Sequence, residues 1–201
     1  MQGNTVGSLS EHTLITDRES AYILGLWCAD GYYWSSSIGL TSVTTQLTER
    51  FADFLARFLP KERIKLRVYT PRNGKPEKYT MRLAKTEAYQ LYVNSRPLLR
   101  LFREAESKIS VLLEIYILPY FAGRFDGDGS VDKNLRNDLR IAYGNQAEAM
   151  NDQNLLQKLG RYKSTVYHYK GARTYVLYVS RNDAREFLAG IDPYSFKVQS
   201  L

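Results

Sequence analysis

Cysteine is almost absent from this chain: Cys28 is the single one among 201 residues. That excludes an internal disulfide and any all-cysteine zinc site, and its apolar neighbours make a small buried thiol in a reducing compartment the expected role. Histidine is nearly as scarce. His12 and His168 stand apart in sequence, so no zinc site is expected. A membrane-length apolar run is missing too, because the longest, residues 111–122, is interrupted by Glu114 and Pro119 and is too short to span a bilayer. The N-terminus has neither a basic region followed by an apolar stretch nor an Arg-rich character, so no secretory or organellar leader is expected. The expectation is a soluble intracellular protein.

What is present is enough hydrophobic content, 44%, to bury a real core in one large domain or two small ones. Lys and Arg outnumber Asp and Glu by 28 to 21, and 16 residues are Tyr. A basic, tyrosine-rich chain points toward a polyanionic partner, although solubility charge on an ordinary enzyme fits the charge alone.

One acidic turn occurs twice. Tyr22-Ile23-Leu24-Gly25-Leu26-Trp27-Cys28-Ala29-Asp30-Gly31 is echoed by Tyr120-Phe121-Ala122-Gly123-Arg124-Phe125-Asp126-Gly127-Asp128-Gly129. Each copy places a small residue four positions before another, Gly25 and Ala29, then Gly123 and Gly127, which bares one helical face for close backbone packing. Such packing brings Asp30 and Asp128 together. Two ionised carboxylates at short range repel in a partly desolvated site, and a divalent cation relieves the repulsion.

The surroundings repeat as well. Thr16 with Glu19 has capping-box spacing for a first motif helix ending at Asp30-Gly31. Residues 32–35 and 38–44 read as short strands, and Thr48 as the cap of a helix carrying Phe51, Phe54, Leu55 and Phe58 up to Pro60. A hairpin of residues 64–69 and 78–84 about Asn73-Gly74 follows, then a helix through Ala88, Leu91 and Tyr92. In the second half, Ser110 opens the motif helix, with Pro119 either kinking it or marking its start. Strands at 131–133 and 139–143, an Asn145 and Glu148 cap pair before Met150, Leu155, Leu156 and Leu159, a hairpin of 161–169 and 174–180, and an Asn182-capped helix complete the order. Tyr79 and Tyr175 are matched as equivalent hairpin residues. The expected organisation is a polar tail at 1–12, a first repeat at 13–96, a connection at 97–109 and a second repeat at 110–201. Repeats this long indicate duplication rather than a solenoid.

Alternation assigns a partner surface. In the first hairpin Ile64, Leu66 and Val68 share one face and Lys65, Arg67 and Tyr69 the other, while Lys78, Thr80 and Arg82 oppose Tyr79, Met81 and Leu83. An apolar side under helices and a basic side facing out suits the DNA major groove, with Arg72 and Lys75 at the tip for phosphates. The second hairpin turns Lys163, Thr165, Tyr167 and Tyr169 outward against Val166 and is less basic; a solvated outer face is the plain alternative for both hairpins.

Together these features resemble the LAGLIDADG homing endonucleases of the single-chain, two-motif kind, the compact archaeal intron-encoded members above all. The resemblance covers nearly the whole chain. It implies an α+β fold of two pseudo-symmetric αββαββα repeats, a DNA-binding saddle of antiparallel sheets with helices on the outer face, acting as a monomer. It implies cleavage of both strands of a long, nearly asymmetric double-stranded DNA site with Mg²⁺, with Mn²⁺ as a substitute and Ca²⁺ binding without cleavage, in a prokaryotic cytoplasm or nucleoid. Carried over to this sequence, Asp30 and Asp128 are the catalytic metal ligands, the carbonyls of Ala29 and Gly127 complete the shell, and Gln46 helps position water. The chain departs from the pattern at Leu47 and Gly144, where relatives often carry a basic residue, and Arg124 sits inside the helix and is not assigned that role.

Two other readings compete on the residues. Asp126 to Asp132 looks superficially like a calcium loop, yet its sixth and twelfth positions are Val131 and Asn137 instead of glycine and glutamate. The serious alternative is a non-cleaving nucleic-acid-binding protein of the same fold, a regulator or a maturase with intron RNA as its partner. Retention of both motif carboxylates favours the nuclease.

Overall fold

A computed structural model describes residues 13–69, 86–132, 138–171 and 173–200. The expected tail at 1–12, the hairpin segment 78–84 with its Asn73-Gly74 turn, and Arg72, Lys75, Lys78, Thr80 and Arg82 lie outside the described residues.

Helix α1 (Arg18–Asp30) starts at Asp17, whose carboxylate accepts from the Ser20 amide at 2.7 Å while the Ser20 hydroxyl accepts from the Asp17 amide at 3.0 Å. The capping box is therefore Asp17 with Ser20, one residue beyond the expected Thr16 and Glu19, and Glu19 instead pairs with Arg50 at 2.6 Å. Strands β1 (Gly31–Trp34) and β2 (Ser37–Ser42) follow as a hairpin. Helix α2 (Thr45–Leu55) begins before the expected cap; Thr48 is buried inside it and donates its hydroxyl to the Thr45 carbonyl at 2.7 Å.

Strand β3 (Lys65–Tyr69) pairs with β4 (Ala88–Asn94), so the segment through Ala88, Leu91 and Tyr92 is a strand, not a helix. Tyr89, Leu91 and Val93 alternate with Ala88, Gln90 and Tyr92, and β4 is hydrogen-bonded on both sides, to β2 and β3. The stretch expected as a connection, 97–109, is mostly helix α3 (Arg96–Ser107), capped by Ser95 with Pro97 in its first turn, a position where a missing N–H costs nothing. Tyr175 is consequently the counterpart of Tyr89, since each faces the same place on its neighbouring strand, Tyr143 and Ser42.

The second half runs α4 (Glu114–Asp128), β5 (Gly129–Asp132), β6 (Asp138–Tyr143), α5 (Gln146–Lys158), β7 (Ser164–Tyr169), β8 (Thr174–Val179) and α6 (Arg181–Ile191), followed by a short α7 (Phe196–Gln199). Helix α4 starts at Glu114, after a 3₁₀ turn at Ile109–Val111, and Pro119 lies within it. Asn145 caps α5 as expected, accepting from the Glu148 amide at 2.9 Å. The αββαββα order holds in both halves, and the sheets share one strand order, β1-β2-β4-β3 and β5-β6-β8-β7.

Helices cover one face of each sheet. Ile38, Leu40, Leu91 and Val93 meet Phe51, Phe54 and Phe102, while Leu139, Ile141, Leu177 and Val179 meet Leu155, Leu156 and Phe187, all in one continuous core. Each fully buried aromatic or branched side chain there contributes roughly 1.5–3 kcal/mol. Leu66 and Val68 share that face but remain 55% and 48% exposed, because among the described residues β3 is the edge strand of its sheet. Between the halves, α1 and α4 pack through their glycines: a Cβ built on Gly25 would sit 1.9 Å from the Tyr120 carbonyl oxygen, and one on Gly123 would sit 2.0 Å from that of Tyr22. Among the described residues no helix is long and apolar enough to cross a membrane.

Candidate metal centre and nucleic-acid face

The seam that brings the two backbones together also fixes what stands at its end. Asp30 is the last residue of α1 and Asp128 the last of α4. Gly127 packs so closely on α1 that a Cβ there would lie 2.4 Å from the Ala29 Cβ and 3.3 Å from Asp30 Oδ2. Ala29, Asp30, Gly127 and Asp128 line one cavity of about 890 Å³. Two helix C-termini and two carboxylates concentrate negative potential there, since each helix already presents roughly half a negative charge at that end. Burial and then the Asp128 charge push the Asp30 carboxyl up to about 6, with Lys197 opposing. Burial raises Asp128 as well, against Arg124 and Lys197.

The donor set is hard oxygen throughout. Among the described residues no group of three or more His, Cys, Asp or Glu side chains is placed to hold a metal ion. Two carboxylates with flanking carbonyls suit Mg²⁺, which keeps several waters and takes its remaining ligands from phosphate, and do not suit zinc.

The other acidic and basic groups of the second motif have different work. Asp126 accepts from the Tyr22 hydroxyl at 2.7 Å and from the amides of Phe196 and Lys197 at 2.7 and 3.0 Å, tying α1 and α7 to α4. Arg124, 1% exposed, donates from Nε to Asp152 at 3.0 Å, and the hydroxyls of Tyr120 and Tyr143 donate to the same carboxylate at 3.0 and 2.8 Å. Arg124 is thus a core ion pair, consistent with withholding a catalytic role from it. Cys28 is half-buried against the core, less enclosed than expected, and the desolvation it does undergo pushes its thiol up, away from reactivity.

Strand register defines the faces left open by the helices. In the first sheet Lys65, Arg67 and Tyr69 lie opposite Tyr92, Gln90 and Ala88, the side away from Leu91 and Val93. Arg67 stacks on Tyr92 with its guanidinium carbon 4.7 Å from the ring centre, and the Tyr69 hydroxyl donates to Gln90 at 2.8 Å. In the second sheet Thr165, Tyr167 and Tyr169 share the open side with Arg140 and Tyr178, near Lys163. That face is less basic than the first, for Asp138 pairs with Arg181 at 2.7 Å and with Arg140 at 3.6 Å.

The two features meet. The cavity holding Asp30 and Asp128 is walled by the open-face side chains Tyr32, Thr41, Tyr69 and Gln90. Gln46 is not brought in; it is exposed on the first turn of α2, outside that lining. Sequence reasoning missed Tyr32, Gln90 and Lys197. The β-alternation of residues 88–94 carried a signal for Gln90, whereas nothing local marks Lys197, which arrives from α7.

The fold matches solved structures. A variant of the homing endonuclease I-DmoI is 22% identical with a TM-score of 0.64, over 87% of this chain and 94% of that one. I-DmoI in complex with DNA and Mn is 22% identical with a TM-score of 0.62, over 87% and 96%. Full-length DUF199/WhiA from Thermatoga maritima is 14% identical with a TM-score of 0.60, over 97% of this chain and 62% of that one. No curated protein matches in sequence. The LAGLIDADG-like domain matches at residues 17–105 and 116–192, most of the chain, with both acidic turns inside it, so the protein belongs to the LAGLIDADG-like domain family.

Proposed function

We propose that the protein is a site-specific DNA endonuclease that cuts both strands by divalent-metal-dependent phosphodiester hydrolysis. One observation carries the reading: the paired carboxylates open into the same cavity as the uncovered face of the first sheet, so a duplex seated on that face lies over both. Asp30 and Asp128 hold the cation, with the carbonyls of Ala29 and Gly127 beside them. A bound Mg²⁺ or Mn²⁺ supplies Lewis-acid polarisation of the phosphate and acidifies water. The chain's own groups do the rest. Lys65 and Arg67 hold the phosphate backbone or guanine edges, Tyr69 and the hydroxyl-rich second face (Lys163, Thr165, Tyr167, Tyr169) extend the contact, and the glycine seam keeps the carboxylates in register. Gln46 is proposed only as an orienting group for water once DNA is seated. The chain works as a monomer, because both halves of the pair are in one polypeptide. I-DmoI complexes with DNA in the presence of Mg and with Mn support the choice of partner and metal.

A non-cleaving binder of DNA or intron RNA is favoured by one observation: the Lys197 ammonium already donates to the Gly127 carbonyl at 3.2 Å. Incubation with Mg²⁺ and a randomised DNA library separates the readings. The nuclease yields double-strand cuts at selected sites that vanish in Asp30→Asn and Asp128→Asn while DNA affinity stays within a few-fold, since phosphate contacts supply most of it. Selective binding without cuts under Mg²⁺ or Mn²⁺ refutes the nuclease.

A further inference from the structure

We propose that Lys197 is the resident cation of the carboxylate pair, competing with the divalent ion for the Gly127 carbonyl and so setting how tightly the centre holds metal. This deepens the metal-centre reading above and rests on it.

The ammonium of Lys197 donates to three carbonyls, Phe125 at 3.0 Å, Gly127 at 3.2 Å and Gly129 at 2.9 Å. These oxygens surround the C-terminal end of α4, the negative end of its dipole. The side chain lines the cavity with Asp30 and Asp128, and its charge opposes the rise in both carboxyls. One ammonium thereby does three things a divalent ion would do there: it takes the Gly127 oxygen, balances the carboxylates and faces the cleft. Two cations cannot share that space without strong repulsion, so metal entry requires Lys197 to leave Gly127. A lysine is suited to such an exchange, being a compact charge on a flexible four-carbon stem.

The backbone around Lys197 is held independently of its ammonium. Asp126 takes the amides of Phe196 and Lys197 and the Ser195 hydroxyl, and the Ser195 side chain caps α7 by accepting from the Val198 amide at 3.1 Å. Among the described residues the first repeat has no helix equivalent to α7, so the device acts on the α4 end of the seam.

A purely structural helix cap makes the opposite prediction. Loss of a cap loosens the end of α4 and weakens metal binding; loss of a competitor tightens it. The experiment is a Mn²⁺ titration of the full-length, DNA-free chain, followed by the electron paramagnetic resonance of free Mn²⁺. It compares wild type, Lys197→Met, Lys197→Gln, Lys197→Arg and Asp30→Asn, with thermal unfolding in metal-free buffer as the check on folding. Lys197→Met is expected to bind Mn²⁺ on the order of tenfold more tightly, a factor within the range usual for free-energy coupling between two binding events, and Lys197→Arg to stay near wild type. Lys197→Gln, which keeps donors for the carbonyls without the charge, is expected to follow Lys197→Met. Equal or weaker binding in both neutral variants, with Asp30→Asn still abolishing it, overturns the role of Lys197 and leaves the metal centre standing. Equal binding by wild type and Asp30→Asn removes the metal centre itself, and the proposal with it.

Discussion

Replacing Gly25 by alanine tests the seam on which the site depends. The added Cβ would lie 1.9 Å from the Tyr120 carbonyl oxygen, against about 3.4 Å for an ordinary contact, a shortfall of about 1.5 Å. The obstacle is backbone, so no rotamer change relieves it, and α1 and α4 must part. Alanine is favoured over glycine in a helix by about 1 kcal/mol, while forcing extra volume into a packed core costs ~1–3 kcal/mol. With an obstacle this rigid the upper end applies, leaving a net loss of about 2 kcal/mol, or a Tm lower by roughly 4–8 °C for a chain of this size. Parting the helices also moves Asp30 from Asp128, and displacement by about 1 Å costs a reaction about a hundredfold. Differential scanning calorimetry of the metal-free protein reads the first effect and single-turnover DNA cleavage the second. Gly144→Ala, with nothing within 4 Å of its Cβ, is the control and should change neither. A Gly25→Ala protein melting at or above the wild-type temperature refutes the close approach.

Asp152→Ala leaves the buried Arg124 guanidinium with only the half-exposed Glu148 carboxylate, 3.4 Å from it, and strands two tyrosine hydroxyls, and should lower stability in urea by about 3 kcal/mol, the low end of the cost of breaking a buried pair. The pH dependence of stability has a defined sign. Because the Asp30 carboxyl is raised to about 6 in the fold from 3.8, the native state holds a proton that the unfolded chain has released, so this group's contribution falls as pH rises from about 4 to about 6. Asp30→Asn should remove that fall from the metal-free melting profile, and an unchanged profile contradicts the burial of Asp30. Arg67→Ala should weaken DNA binding at every sequence tested and reduce the slope of log K against log salt by about 1 if it meets phosphate; an unchanged slope with altered site preference would assign it to a base edge instead.

How much of this the sequence disclosed follows from the range of the interactions involved. The motif helices were legible because the evidence is local: small residues at spacing four, an acidic turn after each, and a second copy to confirm the first. The Asn145 cap was legible for the same reason, as donor and acceptor are three residues apart. Residues 88–94 misled because Ala88, Leu91 and Tyr92 satisfy helical spacing while Tyr89, Leu91 and Val93 satisfy alternation; pairing with β2 and β3 decides, and neither strand is near in sequence. The start of α1 was ambiguous because Thr16/Glu19 and Asp17/Ser20 both fit a capping box, and Arg50, distant in sequence, draws Glu19 away. Both carboxylates of the candidate site were legible from the repeat. Lys197 was not, since only the tertiary bonds of Asp126 to α7 place it beside them.

The most direct test of the central claim is the anomalous scattering of Mn²⁺ in a crystal of the full chain bound to DNA selected by it. A peak is expected between Asp30 and Asp128, within coordination distance of both carboxylates and of a backbone phosphate. A peak elsewhere, or a well-ordered complex with no peak at that pair, would contradict it.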